Sequence, residues 1–454
     1  MTRVGAGRPG RGGRRARPVA TGIAVAMGLA LAGCGSGSGS GPGRPGGSPA
    51  SPSGLAGVTM AHGAAAREPS ASPRPLGAAD TAFGLSVLGA WCRTSPQANL
   101  VLSPSSLASG LGMAYLGAGG GTAQAMARVL HLPATGPGLA AQLQARSAAL
   151  RSLDRPGVTV ASSDQVWTDP TLTTRRGYLN AVATGYQAGV ARVPLLSDPG
   201  RAAQQIDQAI AAATRGHIPR LVSAGSLHGV GWVLTDALYL NAAWEHPFPA
   251  SATKTQEFQT AAGREVAAKF MSGGQFHQAR AAGWTAVSLP YRGGRLAMLA
   301  LLPPAGTGAG AGAAGGCALP STGTMTSLSS ALTSGASAAS PGTAIALPRV
   351  DLSTKADLKG LLAGLGMGVA FTSAADFGGL SPQACCIGLI EHAATLQVGE
   401  KGTVASAATS VGLMPTDAQA DPPLVFDRPY LLLVTDTRTG EPLFLARVAD
   451  PSAH

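Results

Sequence analysis

Few groups in this 454-residue chain are arranged for catalysis. Ser251-Ala252-Thr253-Lys254 has the Ser-x-x-Lys spacing of penicillin-binding acyltransferases, in which a lysine assists a serine nucleophile. Its companion motifs are missing: there is no Ser-Asp-Asn, and Lys401-Gly402-Thr403 carries the residues of Lys-Thr-Gly in another order. No Gly-x-Ser-x-Gly elbow occurs either. Besides Cys34, the cysteines are Cys92, Cys317, Cys385 and Cys386, and none has the Cys-x-x-Cys spacing of a zinc or thioredoxin-like site. Cys385 and Cys386 are adjacent, so in an extended chain they point to opposite faces. One disulfide is compatible with this set in an oxidising compartment, with its pairing open. The chain therefore reads as a non-enzyme with no metal and no cofactor.

One segment has a pattern of its own. Thr403–Met414 holds no charge and no proline. Thr403, Ala405, Ala407, Thr409, Val411 and Leu413 alternate with Val404, Ser406, Ala408, Ser410 and Gly412. Both faces are small or apolar, and every residue keeps its backbone donor. Such a segment can join a sheet as a buried strand, which a proline or a charge would prevent.

The elements that must present this segment follow from hydrophobic spacing. Helical spacing covers Asp80–Cys92, Leu107–Leu116, Thr122–Leu130 and Asp357–Gly364, the last stopping at Gly364 or Gly366. Ser103 precedes Pro104 as a helix N-cap. Strands are expected over Val158–Trp167, Val233–Leu240, Glu265–Gln275, Ala286–Pro290, Leu296–Leu302, Ala344–Asp351, Leu431–Val434 and Leu443–Val448. Gly306–Ser340 is low in complexity and reads as a surface loop with one helical turn near Leu328–Leu332. Helices early and strands late, with no βαβ repeat to carry a dinucleotide fingerprint, indicate an α+β domain.

The first 34 residues read as an address. An Arg-rich start, an apolar run over Val19–Leu31 and Leu31-Ala32-Gly33-Cys34 follow the order of a bacterial export signal ending in a lipobox, with Cys34 as the lipidated residue. Residues 35–75 are Gly/Ser/Pro-rich and read as a disordered tether, and 76–454 as the folded domain. No second apolar run reaches membrane-spanning length. The net charge of +11 invites a nucleic-acid partner, but six arginines precede Cys34 and the remainder carries 27 basic against 22 acidic residues. A body so nearly balanced, with no basic patch stronger than Arg175-Arg176, calls for no phosphate-backbone partner. At 45% hydrophobic and 12% charged residues, the chain is neither a coiled coil nor a charged disordered protein.

Several motifs, in order, resemble the serpin family. Asn99-Leu100-Val101-Leu102-Ser103-Pro104-Ser105-Ser106-Leu107 and Tyr115-Leu116-Gly117-Ala118 are similar to its N-terminal signature. Asp236-Ala237-Leu238-Tyr239-Leu240-Asn241-Ala242-Ala243-Trp244, with Pro247-Phe248, resembles its central motif; Leu289-Pro290-Tyr291 and Ala375-Asp376-Phe377 fit further segments. His392 stands eight residues before Glu400, and Arg428-Pro429-Tyr430, Thr439-Gly440 and Leu443–Val448 resemble the C-terminal signature.

The resemblance implies three β-sheets, eight or nine helices and an exposed reactive loop near the C-terminus. It implies a hinge over Glu400, Lys401, Gly402, Thr403, Val404, Ala405, Ser406, Ala407, Ala408 and Thr409, and a sheet-opening region of Ser103, Ser106, Asp236, Trp244 and His392. Asp236 stands where the family usually has Asn, so a buried Asp there needs His392 protonated or another donor nearby. Family spacing puts the scissile bond at Thr416–Asp417; a loop about two residues longer than usual leaves Asp417 and Ala418 as alternatives. The implied function is suicide inhibition of a serine-type endopeptidase, the partner that would form a covalent acyl complex. With no Lys or Arg near the bond, elastase- or subtilisin-like targets are expected. The alternative is a non-inhibitory serpin acting as an extracellular binding protein. A monomer is expected, on the extracellular side of the cell membrane, held to the bilayer through Cys34 or secreted.

Overall fold

A computed structural model describes residues 58–133, 138–306, 317–333, 342–403 and 422–453. Cys34, Val404–Thr409, Thr416 and Asp417 lie outside the described residues. The described helices are α1 Arg74–Thr94, α2 Pro104–Tyr115, α3 Gly120–Val129, α4 Leu139–Arg151, α5 Arg176–Tyr186, α6 Pro199–Ala213, α7 Thr322–Thr333 and α8 Lys359–Leu362. Strands of the first half are β1 Thr59–Ala61, β2 Leu100–Leu102, β3 Val158–Ser162, β4 Gln165–Thr168, β5 Val190–Arg192, β6 Trp232–Ala243, β7 Lys254–Gln259 and β8 Glu265–Ala281. Those of the second half are β9 Trp284–Pro290, β10 Leu296–Leu302, β11 Thr343–Pro348, β12 Val350–Asp357, β13 Ile390–Gly399, β14 Gly402–Thr403, β15 Leu424–Val425, β16 Tyr430–Asp436 and β17 Pro442–Val448.

The first sheet runs β1-β5-β4-β6-β14-β13-β12, with β3 also on β6. The second runs β15-β11-β8-β9-β10-β16-β17-β2, with β7 on β8. Strand β8 belongs to two layers. Its start pairs with β7 and β11 and its end with β9. It bends at Gly273-Gly274, where a Cβ on Gly274 would lie 2.1 Å from the Phe276 ring and φ is +79°. The expected three sheets are present once β8 is counted on both sides of this bend. One apolar layer fills the space between the sheets, with Leu238, Leu240, Ala242, Tyr291, Leu352, Leu396 and Val398 among its members. A second lies between α6 and the other face of the first sheet, lined by Trp167, Ile206, Ile210, Val233, Ala237 and Ala393.

Several expectations need correction. The tether does not extend to residue 75: Thr59–Ala61 pairs antiparallel with β5, and the chain beyond is pinned to helix side chains through Ala64 N–H to Asn180 Oδ1 (2.8 Å) and Ala66 N–H to Thr184 Oγ1 (2.9 Å). Backbone makes these bonds, so the side-chain pattern carried no sign of them; an exposed sheet edge takes up whatever extended chain lies beside it. The single strand expected over Val158–Trp167 is two, β3 and β4, broken at Ser163-Asp164. The single turn near Leu328 is the three-turn helix α7, held by Met325, Leu328 and Leu332 in the core.

The disulfide is Cys92–Cys317, joining the last turn of α1 to the lead-in of α7 across 225 residues of sequence. A second tie is ionic. Buried Arg146 of α4 reaches Asp80 of α1 at 2.6 Å and Glu441, beside β17, at 2.9 Å, and donates to Ser109 Oγ and the Ser105 carbonyl of α2. Burial pushes the Asp80 carboxyl well above the usual carboxylate range, against the pull of Arg146.

Cutting the Cys92–Cys317 bond releases a long loop in the unfolded chain. The Cys92→Ser, Cys317→Ser double variant is expected to lose about 2–4 kcal/mol. Calorimetry should show a lowered Tm with an unchanged far-UV circular dichroism spectrum at room temperature.

Candidate functional site

The centre of the first sheet holds the site. β6 and β13 are parallel neighbours at one end, from Ile390↔Leu234 to Ala394↔Leu238. At the other end they part, and Gly402–Thr403 sits between them. Thr403 pairs with Val398 on one side and Ala242 on the other; Gly402 pairs with Gly399 and Ala243. The inserted residues run antiparallel to both strands.

Hinge residues are held individually. The Trp244 backbone donates to Lys401 O and Phe248 to Glu400 O, both at 2.9 Å. The Trp244 indole donates to Gly399 O at 2.8 Å and stacks on Tyr291, with centroids 4.4 Å apart. Tyr291 Oη meets Thr403 Oγ1 at 2.6 Å, so Thr403 faces the layer between the sheets. The Glu400 carboxylate accepts from Thr253 Oγ1 (2.6 Å) and Arg349 Nε (2.8 Å). Burial raises its pKa, but the bonds from Arg349 and Thr253 outweigh this and leave it below the ordinary value. Gly402 has φ +146°, and a Cβ there would lie 2.2 Å from the Ala242 carbonyl. Only glycine fits the wedge.

Toward the zipped end lies a polar cluster. Asp236 of β6 and His392 of β13 are register partners, with His392 Nδ1 and Asp236 Oδ1 2.6 Å apart. Ser103 N–H donates to His392 Nε2 (3.3 Å), which assigns the lone pair to Nε2 and the hydrogen to Nδ1. A neutral imidazole thus donates to the Asp236 carboxylate, and this is the donor the buried acid requires. Ser103 also caps α2 by accepting from Ser106 N–H. The Ser106 hydroxyl donates to Asp164 at the β3–β4 break. Burial drives the Asp164 pKa well above its usual value; the Asp236 charge adds to this, while Ser106 and Arg146 oppose it.

Four of the five residues expected at the opening region are therefore together: Ser103, Ser106, Asp236 and His392. Trp244 is not with them. It lies eight residues beyond Asp236, just past the end of β6 and roughly 26 Å away in an extended chain, where it bonds Gly399 and Lys401. Asp164 and Arg349 are not singled out by the sequence, and Tyr291 and Thr253 stand in it only inside motifs that assign them no role at this site. An acid inside an apolar strand run was the available signal for Asp164; Arg349, after Pro348, carried none. Among the described residues no cluster of three or more His, Cys, Asp or Glu could hold a metal ion, and no helix is long and apolar enough to cross a membrane.

A mixed α+β fold whose main sheet is split, with Gly402–Thr403 wedged in the split, defines the class. The family model for Serpin (serine protease inhibitor) matches residues 78–451, and the chain belongs to the serpin family. It is similar to an uncharacterised serpin-like protein of Thermococcus kodakarensis, 29% identical over 363 residues, which are 78% of this chain and 81% of that protein. It is also similar to the leukocyte elastase inhibitor of Bos taurus, 27% identical over 381 residues, covering 83% of this chain and 99% of that protein. Among solved structures, native protease nexin-1 with heparin superposes with a TM-score of 0.70 at 25% identity, covering 84% of this chain and all of that one.

Gly402→Ala is expected to push β14 out of the split. Hydrogen exchange over Val398–Thr403 should quicken; unchanged protection would show that the wedge tolerates a methyl group. A second expectation concerns pH. The folded Asp164 pKa lies above the ordinary 3.8, so the folded chain keeps a proton that the unfolded chain has released, and stability falls as pH rises from about 3.8 through the folded value. Asp164→Asn removes that loss. Its Tm should match the parent below about pH 4 and exceed it by a few degrees near neutrality; a pH-independent difference would count against the assignment.

Proposed function

We propose that this serpin inhibits serine-type endopeptidases as a suicide substrate, with the segment between β14 and β15 as bait. The wedged β14 carries this reading. Continuing its register down the slot sets residues 404–413 opposite Asn241–Trp232 of β6. In that register Ala407 falls between Leu238 and Ala394, and Thr409 between Asp236 and His392. These are the pairs that now face each other across the parallel junction, so one register serves both ends of the slot. Thr403 faces inward, and the residues that would follow it on that side are Ala405, Ala407, Thr409, Val411 and Leu413. All suit the apolar layer below.

Insertion opens the β6–β13 spacing from about 4.8 Å to about twice that and fills it with two new ladders. Thr409 would part His392 from Asp236 and offer its own hydroxyl to them. A protease acyl-linked at Thr416 would travel roughly 45 Å. Displacing its catalytic groups by even about 1 Å slows deacylation on the order of a hundredfold. The inhibitor needs no nucleophile, cofactor or metal of its own. We place the scissile bond at Thr416–Asp417, with Asp417 and Ala418 as alternative cleavage residues. We assign the targets to elastase- or subtilisin-like enzymes, because Leu413-Met414-Pro415-Thr416 offers no Lys or Arg. Similarity to a leukocyte elastase inhibitor agrees with this choice. The lipobox-like Leu31–Cys34 supports a protein exported and held at the outer face of the membrane, or secreted; we take it to act as a monomer.

Incubation with elastase- and subtilisin-type proteases should give an SDS-stable complex of summed mass and release a peptide beginning at Asp417. Thr409→Arg should be cleaved at the same bond and form no complex, since it carries an unpaired charge into a buried strand position. Its cleaved form should also lack the large Tm rise of the cleaved parent. Full turnover of the parent, with no Tm rise on cleavage, would overturn the proposal.

A further inference from the structure

With Cys92 and Cys317 joined, the thiols among the described residues are Cys385 and Cys386. They occupy the run-in to β13, four residues before Ile390. The chain here is irregular, so the side chains do not diverge as they would on a strand. Cys385 Sγ lies 2.8 Å from Cys386 Sγ. Backbone bonds fix both flanks: Ala384 N–H to Ser381 O at 3.1 Å, and Ile387 N–H to Ala370 O at 2.9 Å. Cys385 is exposed and Cys386 half-buried. Lys359 of α8 lies near Cys386 and favours its thiolate, while burial and the neighbouring Cys385 thiol push it up to about 11.

We propose that Cys385 and Cys386 form a vicinal dithiol site, which closes to an intramolecular disulfide by exchange with a low-molecular-weight disulfide and reopens on reduction. The exposed Cys385 thiolate attacks the small disulfide, forms a mixed disulfide and expels one thiolate. Cys386 loses its proton, attacks the Cys385 sulfur and expels the second. Two cysteines are oxidised, one small disulfide is reduced to two thiols, and the two cysteine protons pass to those thiols. Division of labour follows from exposure: the accessible sulfur meets the oxidant, and the shielded sulfur resolves the adduct. Adjacent Cα atoms are about 3.8 Å apart across a trans peptide, below the roughly 4.4 Å at which ordinary disulfides begin. The closed ring is therefore easily reduced, unlike the long-range Cys92–Cys317 bond. An open pair this close also suits bidentate capture of a trivalent arsenical.

The test treats the full chain with oxidised glutathione, quenches with acid, alkylates and maps peptides, so that Cys34 is read separately. The peptide holding Cys385 and Cys386 should lose both alkylation sites together, be lighter by two hydrogen atoms and carry no glutathione; dithiothreitol should restore both sites. Cys386→Ser should retain glutathione on Cys385. Phenylarsine oxide should block both alkylations in the parent and neither in Cys385→Ser or Cys386→Ser. Persistent glutathione on Cys385 of the parent, or equal arsenical protection in parent and single variants, would overturn the proposal.

Discussion

A parallel junction at the centre of a largely antiparallel sheet is the constraint on which the rest of this structure depends. β6 is antiparallel to β3 and β4, and β13 is antiparallel to β12, yet β6 and β13 run the same way. A strand placed between them has the same sense relative to both, and β14 is antiparallel to each. β14 already occupies one end of that position with two residues. Parallel pairs are slightly weaker per residue than antiparallel ones, so the junction is the natural seam. The Asp236–His392 bond crosses it as a latch, and α2 steadies the latch from below through Ser103.

The polar interior beneath the seam extends well beyond the latch. From the Asp236–His392 pair it continues through Ser103 to Ser105 and Ser106, from Ser106 to Asp164, and from Ser105 to Arg146, Asp80 and Glu441. These side chains come from α1, α2, α4, the β3–β4 break, β6, β13 and the approach to β17. Buried donors and acceptors have few satisfactory arrangements. If the sheet opens along this seam as proposed, a network that spans both sides of it favours discrete closed and open states over gradual widening. At the far end the Arg146 guanidinium meets the Asp80 and Glu441 carboxyls, and near the seam burial pushes the Asp164 carboxyl well above its usual range.

Much of this was legible in the residues. Periodicity located α1, α2, α3 and the start of the segment holding α8, and the strands β6, β9, β10, β16 and β17, whose two faces are both largely buried and apolar; it missed α4, α5, α6 and β13. The motif residues Ser103, Ser106, Asp236 and His392 proved to be neighbours, and Thr403, which heads the small alternating segment, sits in the split. What stayed hidden has physical causes. β1 is made by backbone hydrogen bonds that leave no side-chain pattern. α7 lies in a Gly/Ser/Thr-rich stretch whose three apolar anchors look like chance. Trp244 sits in the same motif as Asp236, and a motif gives no measure of the distance an extended strand puts between its two ends. Asp164 took its place only when β3 and β4 broke around it.

The length of β6 has a further consequence. If the β14 register were continued, residue 413 would fall opposite Trp232, where β6 begins. Residues beyond it would emerge past the sheet, where no neighbouring strand dictates their size or polarity. If the chain traps proteases as proposed, selection on bait and selection on spring are thereby uncoupled. The stretch from Gly402 to Leu413 would be held to small or apolar side chains by the slot it must fill. The few positions after it would be free to drift toward new proteases, so that a lineage could change its adversary without rebuilding the machine that traps it.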